Sequence, residues 1–176
     1  RVEFILDGSG SMWGRVNGEE KIVAAKRVMK DLITDIELAP EAQLGLVVYG
    51  HRKKGDCSDI ERFDPVLYPE RASLIPRIEK ISPKGKTPIA ATLLAVGESL
   101  KDQEGSTSIV LVSDGIESCD QDPCAIAKQL RDQYGINVTI HVVGFDIKDG
   151  REQLECIADA GGGRYFNAAD SSELTS

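Results

Sequence analysis

Short, nearly unbroken apolar runs alternate along the chain with longer stretches in which apolar residues return every three or four positions. Val2 to Leu6, Leu44 to Tyr49, Ser108 to Val112 and Val138 to Val143 are of the first kind, with Glu3 the one polar interruption in the first run. Strands buried on both faces of a parallel sheet need that composition. The second kind begins with about Glu20 to Ile36, where Ile22, Ala25, Met29, Leu32 and Ile36 form one apolar helical stripe. A short helix is predicted over Leu74 to Ile81. Another runs from Thr87 as N-cap, with Pro88 at the first helical position, to about Leu100. Asp122-Pro123 opens a further helix that stops near Gly135, and Arg151 to Ala160 forms one closed by Gly161. Ile60 to Phe63 reads as a short edge strand antiparallel to the second strand, with Pro65 blunting it, and Arg164 to Phe166 as a last short strand. Strands alternating with helices in this way predict an α/β fold: a doubly wound, mostly parallel sheet with one antiparallel edge strand and helices on both faces.

Composition narrows the picture. The 176 residues, 41% hydrophobic and 28% charged, suffice for one domain spanning 1–176. A net charge of -8 argues against nucleic acid or anionic lipid as partner. His51-Arg52-Lys53-Lys54 is the one basic cluster and reads as a solvated loop. No apolar run approaches the roughly 18 to 20 residues that cross a bilayer, so no membrane insertion is expected in this segment. The chain opens directly on a core strand without an initiator Met, and so reads as a piece of a longer protein. Cys57, Cys119, Cys124 and Cys156 contain no Cys-x2-Cys pair, and His51 and His141 lie at unrelated places, which speaks against zinc. Two disulfides and an oxidising compartment are the reading that remains.

The candidate chemistry begins where the first strand ends. Asp7-Gly8-Ser9-Gly10-Ser11 places a carboxylate and two hydroxyls at alternate positions, with glycines that let the backbone aim them at one point. Hard cations take such oxygens, and Mg2+ is held by few carboxylates with waters completing its shell. A plain glycine-rich turn is the competing reading of this stretch. An EF-hand loop is excluded because Met12 and Gly18 stand where its Gly and Glu belong, and an Asp-x-Asp phosphotransfer site because position 9 is serine. Gly85-Lys86-Thr87 is not a P-loop, since Lys80 occupies the place of its first glycine. Asp114 also follows a strand, and the carboxyl ends of a doubly wound sheet gather at one edge, where ligands bind.

Asp7-x-Ser9-x-Ser11, Thr87 in a loop before a helix, and Asp114 in Leu111-Val112-Ser113-Asp114-Gly115 together resemble the von Willebrand factor type A domain, with its metal-ion-dependent adhesion site. The resemblance covers essentially the whole chain. It implies a Rossmann-like fold in which Ser9 and Ser11 ligate a metal directly and Asp7, Thr87 and Asp114 complete the site directly or through water. The implied ion is Mg2+, with Mn2+ or Ca2+ as alternatives, and its open position is filled by an Asp or Glu carboxylate of a protein partner. A binding module rather than an enzyme is therefore expected. A structural or assembly domain whose metal engages no external partner is the alternative, and a metal-dependent hydrolase the minor one, with His51 its single candidate base.

Tyr49 to Cys57, Pro83 to Pro88 and Asp122-Pro123-Cys124 look like bacterial members of the family, which implies an exported, extracytoplasmic protein. The family's strand order favours Cys57 with Cys119 and Cys124 with Cys156, while a local Cys119 to Cys124 bridge stays open. Members commonly close with a helix after the last strand. Ala168 to Ser176 stops where that helix would begin, so it is expected to be truncated or absent.

Overall fold

The computed structural model describes residues 1–103, 105–145 and 148–169. The expected truncation of a closing helix falls on residues 170–176, outside the described residues. β1 (Val2–Asp7) leads through a 3-10 turn into a small hairpin, β2 (Arg15–Val16) and β3 (Glu19–Glu20). Asn17 and Gly18 close that hairpin at φ 54° and 80°, the left-handed pair a two-residue turn requires. Asn-Gly is the sequence signal for such a turn. α1 (Lys21–Asp35), β4 (Gln43–Tyr49), β5 (Ile60–Leu67), α2 (Ile75–Glu79), α3 (Ile89–Ser99), β6 (Thr107–Val112), α4 (Pro123–Tyr134), β7 (Val138–Gly144), α5 (Lys148–Ala160) and β8 (Gly162–Asn167) follow.

The main sheet has the order β5-β4-β1-β6-β7-β8. Every pair is parallel except β4 with β5. The chain thus builds outward from β1 to one side, then returns to lay β6, β7 and β8 on the other, which makes the carboxyl ends of β1 and its neighbours the switch point of the sheet. Val28, Met29, Leu32 and Ile33 of α1 pack with Phe4, Leu6 and Val48 on one face. Leu93 and Val96 of α3, Leu130 of α4 and Ile157 of α5 pack with Ile5, Leu111 and Val142 on the other. Glu3 is buried in β1 because Arg1 Nε donates to it over 2.7 Å and because Gly45, its β4 neighbour, leaves it room. A Cβ at Gly45 would lie 2.1 Å from a Glu3 oxygen.

Three predicted boundaries move. β5 continues past Pro65 to Leu67, because an edge strand has an outer side on which a missing N–H costs no ladder bond. The helix expected over Leu74 to Ile81 is present as the shorter α2, preceded by a 3-10 stretch over Tyr68–Leu74. Thr87 is not the N-cap of α3: that place falls to Pro88, and a free first-turn N–H, that of Ala90, is taken by the Glu117 carboxylate instead (2.8 Å). By contrast Asp122 caps α4, its Oδ1 accepting from the N–H of Cys124 and Ala125.

The cysteines pair as the resemblance favoured. Cys57–Cys119 joins the β4–β5 loop to the segment after β6 with Cα atoms 5.8 Å apart, and Cys124–Cys156 joins α4 to α5 at 5.6 Å.

Candidate metal centre

The loops leaving β1 and β4 and the loop before α3 are knitted together by main-chain bonds. Gly8 N donates to Tyr49 O (2.8 Å), Lys84 N to Gly8 O (3.1 Å), Gly10 N to Gly85 O (3.0 Å) and Gly85 N to Gly50 O (2.7 Å). Glycine is needed where the strands of this ladder touch. A Cβ on Gly50, at φ 73°, would stand 2.2 Å from Lys86 O, and one on Gly85 the same distance from Lys53 O. Ser9, Ser11 and Thr87 are thereby set beside one another before any side chain is considered.

Asp7 is fully buried at the end of β1. One carboxylate oxygen accepts from Ser9 N (2.8 Å) and the other from the Ser113 hydroxyl (2.6 Å). Ser113 in turn accepts from the Tyr49 hydroxyl (3.1 Å) and from Gly115 N (2.9 Å), so its single proton is committed to Asp7. Burial above all, and next the Asp114 carboxylate, push Asp7 up to about 7 against the pull of the Ser113 and Ser9 hydrogen bonds. The Ser9 and Ser11 hydroxyls lie 3.1 Å apart.

Asp114 is held differently. Lys21, the first residue of α1, reaches it with Nζ 2.7 Å from Oδ2, and both side chains are buried. The other oxygen, Oδ1, is buried with no hydrogen-bond partner among the described residues. Thr87 is fixed through its backbone: its N–H donates to the Ser118 hydroxyl (2.8 Å) and its carbonyl accepts from Ser118 N (3.2 Å). Ser11, Thr87, Asp114 and Lys21 line one open cleft of about 530 Å³. Asp7 and Ser9 stand behind it, linked to Ser11 and Asp114 by the contacts above. All five residues singled out in the sequence are therefore drawn to one place.

The donor set suits a hard divalent ion. Among the described residues no three His, Cys, Asp or Glu side chains cluster as metal ligands, so a cation here would rest on two acids and on hydroxyls. The orphaned Asp114 oxygen is what such an ion would satisfy. Lys21, Ser113 and Tyr49 escaped the sequence reading. Ser113 adjoins the aspartate already chosen, which was the one signal available, whereas nothing local marks a lysine at a helix start as the partner of Asp114. His51 does not line the cleft. It is buried, 2.6 Å from Glu61, with Nδ1 unpartnered. His141 accepts from Arg164 N (3.2 Å), and burial first, then Arg164, lower its pKa.

Comparison with known proteins identifies the family. The von Willebrand factor type A domain model matches residues 2–176. YwmD, an uncharacterized protein of Bacillus subtilis, is 34% identical over 98% of this chain and 80% of its own length. Proximal thread matrix protein 1 of the mussel byssus, solved with zinc in its MIDAS motif, superposes with a TM-score of 0.67 at 20% identity, over 98% of this chain and 42% of that one. The pilus adhesin SpaC of Lactobacillus rhamnosus GG does so with a TM-score of 0.73 at 14% identity, over 99% of this chain and 29% of that one. The structural likenesses speak to the fold, and the family model to descent: the chain belongs to the von Willebrand factor type A domain family.

Proposed function

We propose that this domain is a protein-binding module whose cleft takes up a divalent cation, Mg2+ first and Mn2+ or Ca2+ in its place, and through it engages an Asp or Glu carboxylate on a partner. The observation that carries the reading is the buried, unpartnered Oδ1 of Asp114 in the cleft that Ser11 and Thr87 also line. A bound ion supplies an electrophilic position that a carboxylate can fill. The chain's part is to hold it: Ser9 and Ser11 by their hydroxyls, with Asp7, Thr87 and Asp114 completing the shell directly or through water. Neutral hydroxyls offset little of a double positive charge, and the Lys21 ammonium offsets part of Asp114. The loaded site thus keeps attraction for an external anion. His51, the one candidate base of the hydrolase reading, does not line the cleft, and the role proposed is binding rather than catalysis. The two disulfides, together with the likeness to a pilus adhesin, support an extracytoplasmic setting. Among the described residues no helix is long and apolar enough to cross a membrane.

Titration of the chelator-stripped domain with Mn2+, read by electron paramagnetic resonance, tests the ion. The parent is expected to bind, Ser9→Ala and Thr87→Ala to bind more weakly, and a parent that binds no Mn2+ overturns the proposal. Pull-down with and without chelator tests the bridge. Partners that all survive chelation would assign the domain a structural or assembly role instead.

A further inference from the structure

The charge around the cleft runs against that of the molecule. In a chain with net charge -8, Lys84 and Lys86 line the cleft, and Gly55 brings the loop carrying Lys53 and Lys54 to its edge. That loop is pressed against the Gly85 turn by the close approach of the Lys53 carbonyl. Arg52 is already matched with Asp59, 2.7 Å away, and Lys21 with Asp114. No carboxylate among the described residues comes within ion-pair distance of Lys53, Lys54, Lys84 or Lys86. The nearby acids are anchored by neutral donors rather than by these lysines: Glu117 accepts from Ala90 N (2.8 Å) and Cys119 N (3.0 Å), and Asp56 from the backbone and hydroxyl of Ser58 (2.8 and 2.6 Å), with only Lys53 in electrostatic reach of Asp56. Asp120 is exposed beside Cys119, whose disulfide to Cys57 joins the segment after β6 to that loop.

A second feature sits on the same rim. Ile116 lines the cleft half-exposed, at φ 70°, a conformation that a β-branched side chain adopts only under strain. Trp13 is also half-exposed, and its indole N–H is tied to Pro83 O, one residue before Lys84. Unpaired ammonium groups beside presented apolar side chains fit a peptide better than a purely anionic polymer.

Building on the metal-bridged reading above, we infer that the partner offers its metal-directed carboxylate within an acid-rich peptide segment, whose flanking Asp and Glu residues are received by Lys84, Lys86, Lys53 and Lys54. The basic cluster then has a role beyond solvation: it selects which carboxylate reaches the ion. Screening over the Debye length makes this selection depend on salt.

The test uses two synthetic peptides in a Gly-Ser background, one with a single central Asp and one with Glu residues flanking that Asp, titrated into the Mn2+-loaded domain. At about 50 mM salt the flanked peptide is expected to bind roughly tenfold tighter, and at about 0.5 M salt the two should converge. Lys84→Gln combined with Lys86→Gln should abolish most of the preference without weakening Mn2+ binding, since the two ammonium groups repel the ion rather than hold it. Removing two remote charges, Lys101→Gln with Lys128→Gln, should preserve it. If the single-Asp peptide binds through the metal but the preference is absent, or survives in the rim variant, this inference falls and the metal bridge stands. If both peptides bind equally well after chelation, the metal bridge itself falls. A polyuronate or polyphosphate that outcompetes the flanked peptide at equal charge would overturn the assignment to a peptide.

Discussion

Two carboxylates stand at the carboxyl ends of neighbouring strands, and the protein treats them in opposite ways. At the end of β1, Asp7 is surrounded by neutral donors, the Ser9 N–H and the Ser113 hydroxyl, and meets no cation. At the end of β6, Asp114 is given Lys21 at 2.7 Å and is then left with one oxygen unmatched. The first region stores an acid whose ionisation is opposed by burial. The second fixes a charged acid by a buried ion pair and keeps half of it available. Dipoles orient Asp7 without supplying charge, so the cleft's charge balance is set on the Asp114 side, by a residue of α1.

Breaking the Asp114 side should have the larger effect. Asp114→Ala leaves the Lys21 ammonium buried without a partner, a loss of about 3–5 kcal/mol, and should eliminate Mn2+ binding. Adding Lys21→Met should restore most of the stability and none of the binding, as thermal unfolding and Mn2+ titration would reveal. Equal instability of the double variant would break the contrast.

On the Asp7 side the signature is pH. Its pKa rises on folding from 3.8 to about 7, so the folded chain holds a proton that the unfolded chain releases. The associated stability is fully present below about 3.8 and is lost as pH rises through about 7, up to about 4 kcal/mol in all. Denaturation of the metal-free domain across that window should show the decline, and Asp7→Asn should flatten it. Divalent metal should release a proton near and below neutrality, which calorimetry in buffers of different ionisation enthalpy would detect.

Ser113→Ala sharpens the comparison, because it removes Asp7's hydroxyl donor and the acceptor of both Tyr49 and Gly115 N. About 1–3 kcal/mol should be lost, with Asp114 and Lys21 undisturbed. Smallest is the difference between the disulfides. Replacing either pair by serine should destabilise the domain by about 2–4 kcal/mol. Only loss of Cys57–Cys119, which ties the basic loop to the segment after Asp114, should also weaken Mn2+ binding by a few-fold, whereas loss of Cys124–Cys156 should leave it unchanged.

Much of this was legible in the chain. Buried strands announce themselves as apolar runs, and loops that follow them carry the ligands, so Asp7 and Asp114 could be placed at one edge of the sheet without coordinates. What stayed hidden depends on pairings across the fold. Lys21 lies 93 positions from Asp114, and only the docking of α1 on the sheet brings them together. Thr87 has the residue type of a helix cap, but α3 starts after Pro88, and nothing in that residue type signals that Ser118 holds it by the backbone. The Asn17-Gly18 turn follows from a local signal, whereas the length of β5 rests on an open edge that tolerates proline.

The ladder that joins Gly8, Gly10, Gly50 and Gly85 uses main-chain atoms alone. The Lys53, Lys84 and Lys86 ammonium groups on the same loops enter no ion pair among the described residues and are not part of that ladder. Exchanging them is therefore nearly free of structural penalty. A lineage can redraw which partners its domain accepts, one surface substitution at a time, while the cradle beneath is inherited intact.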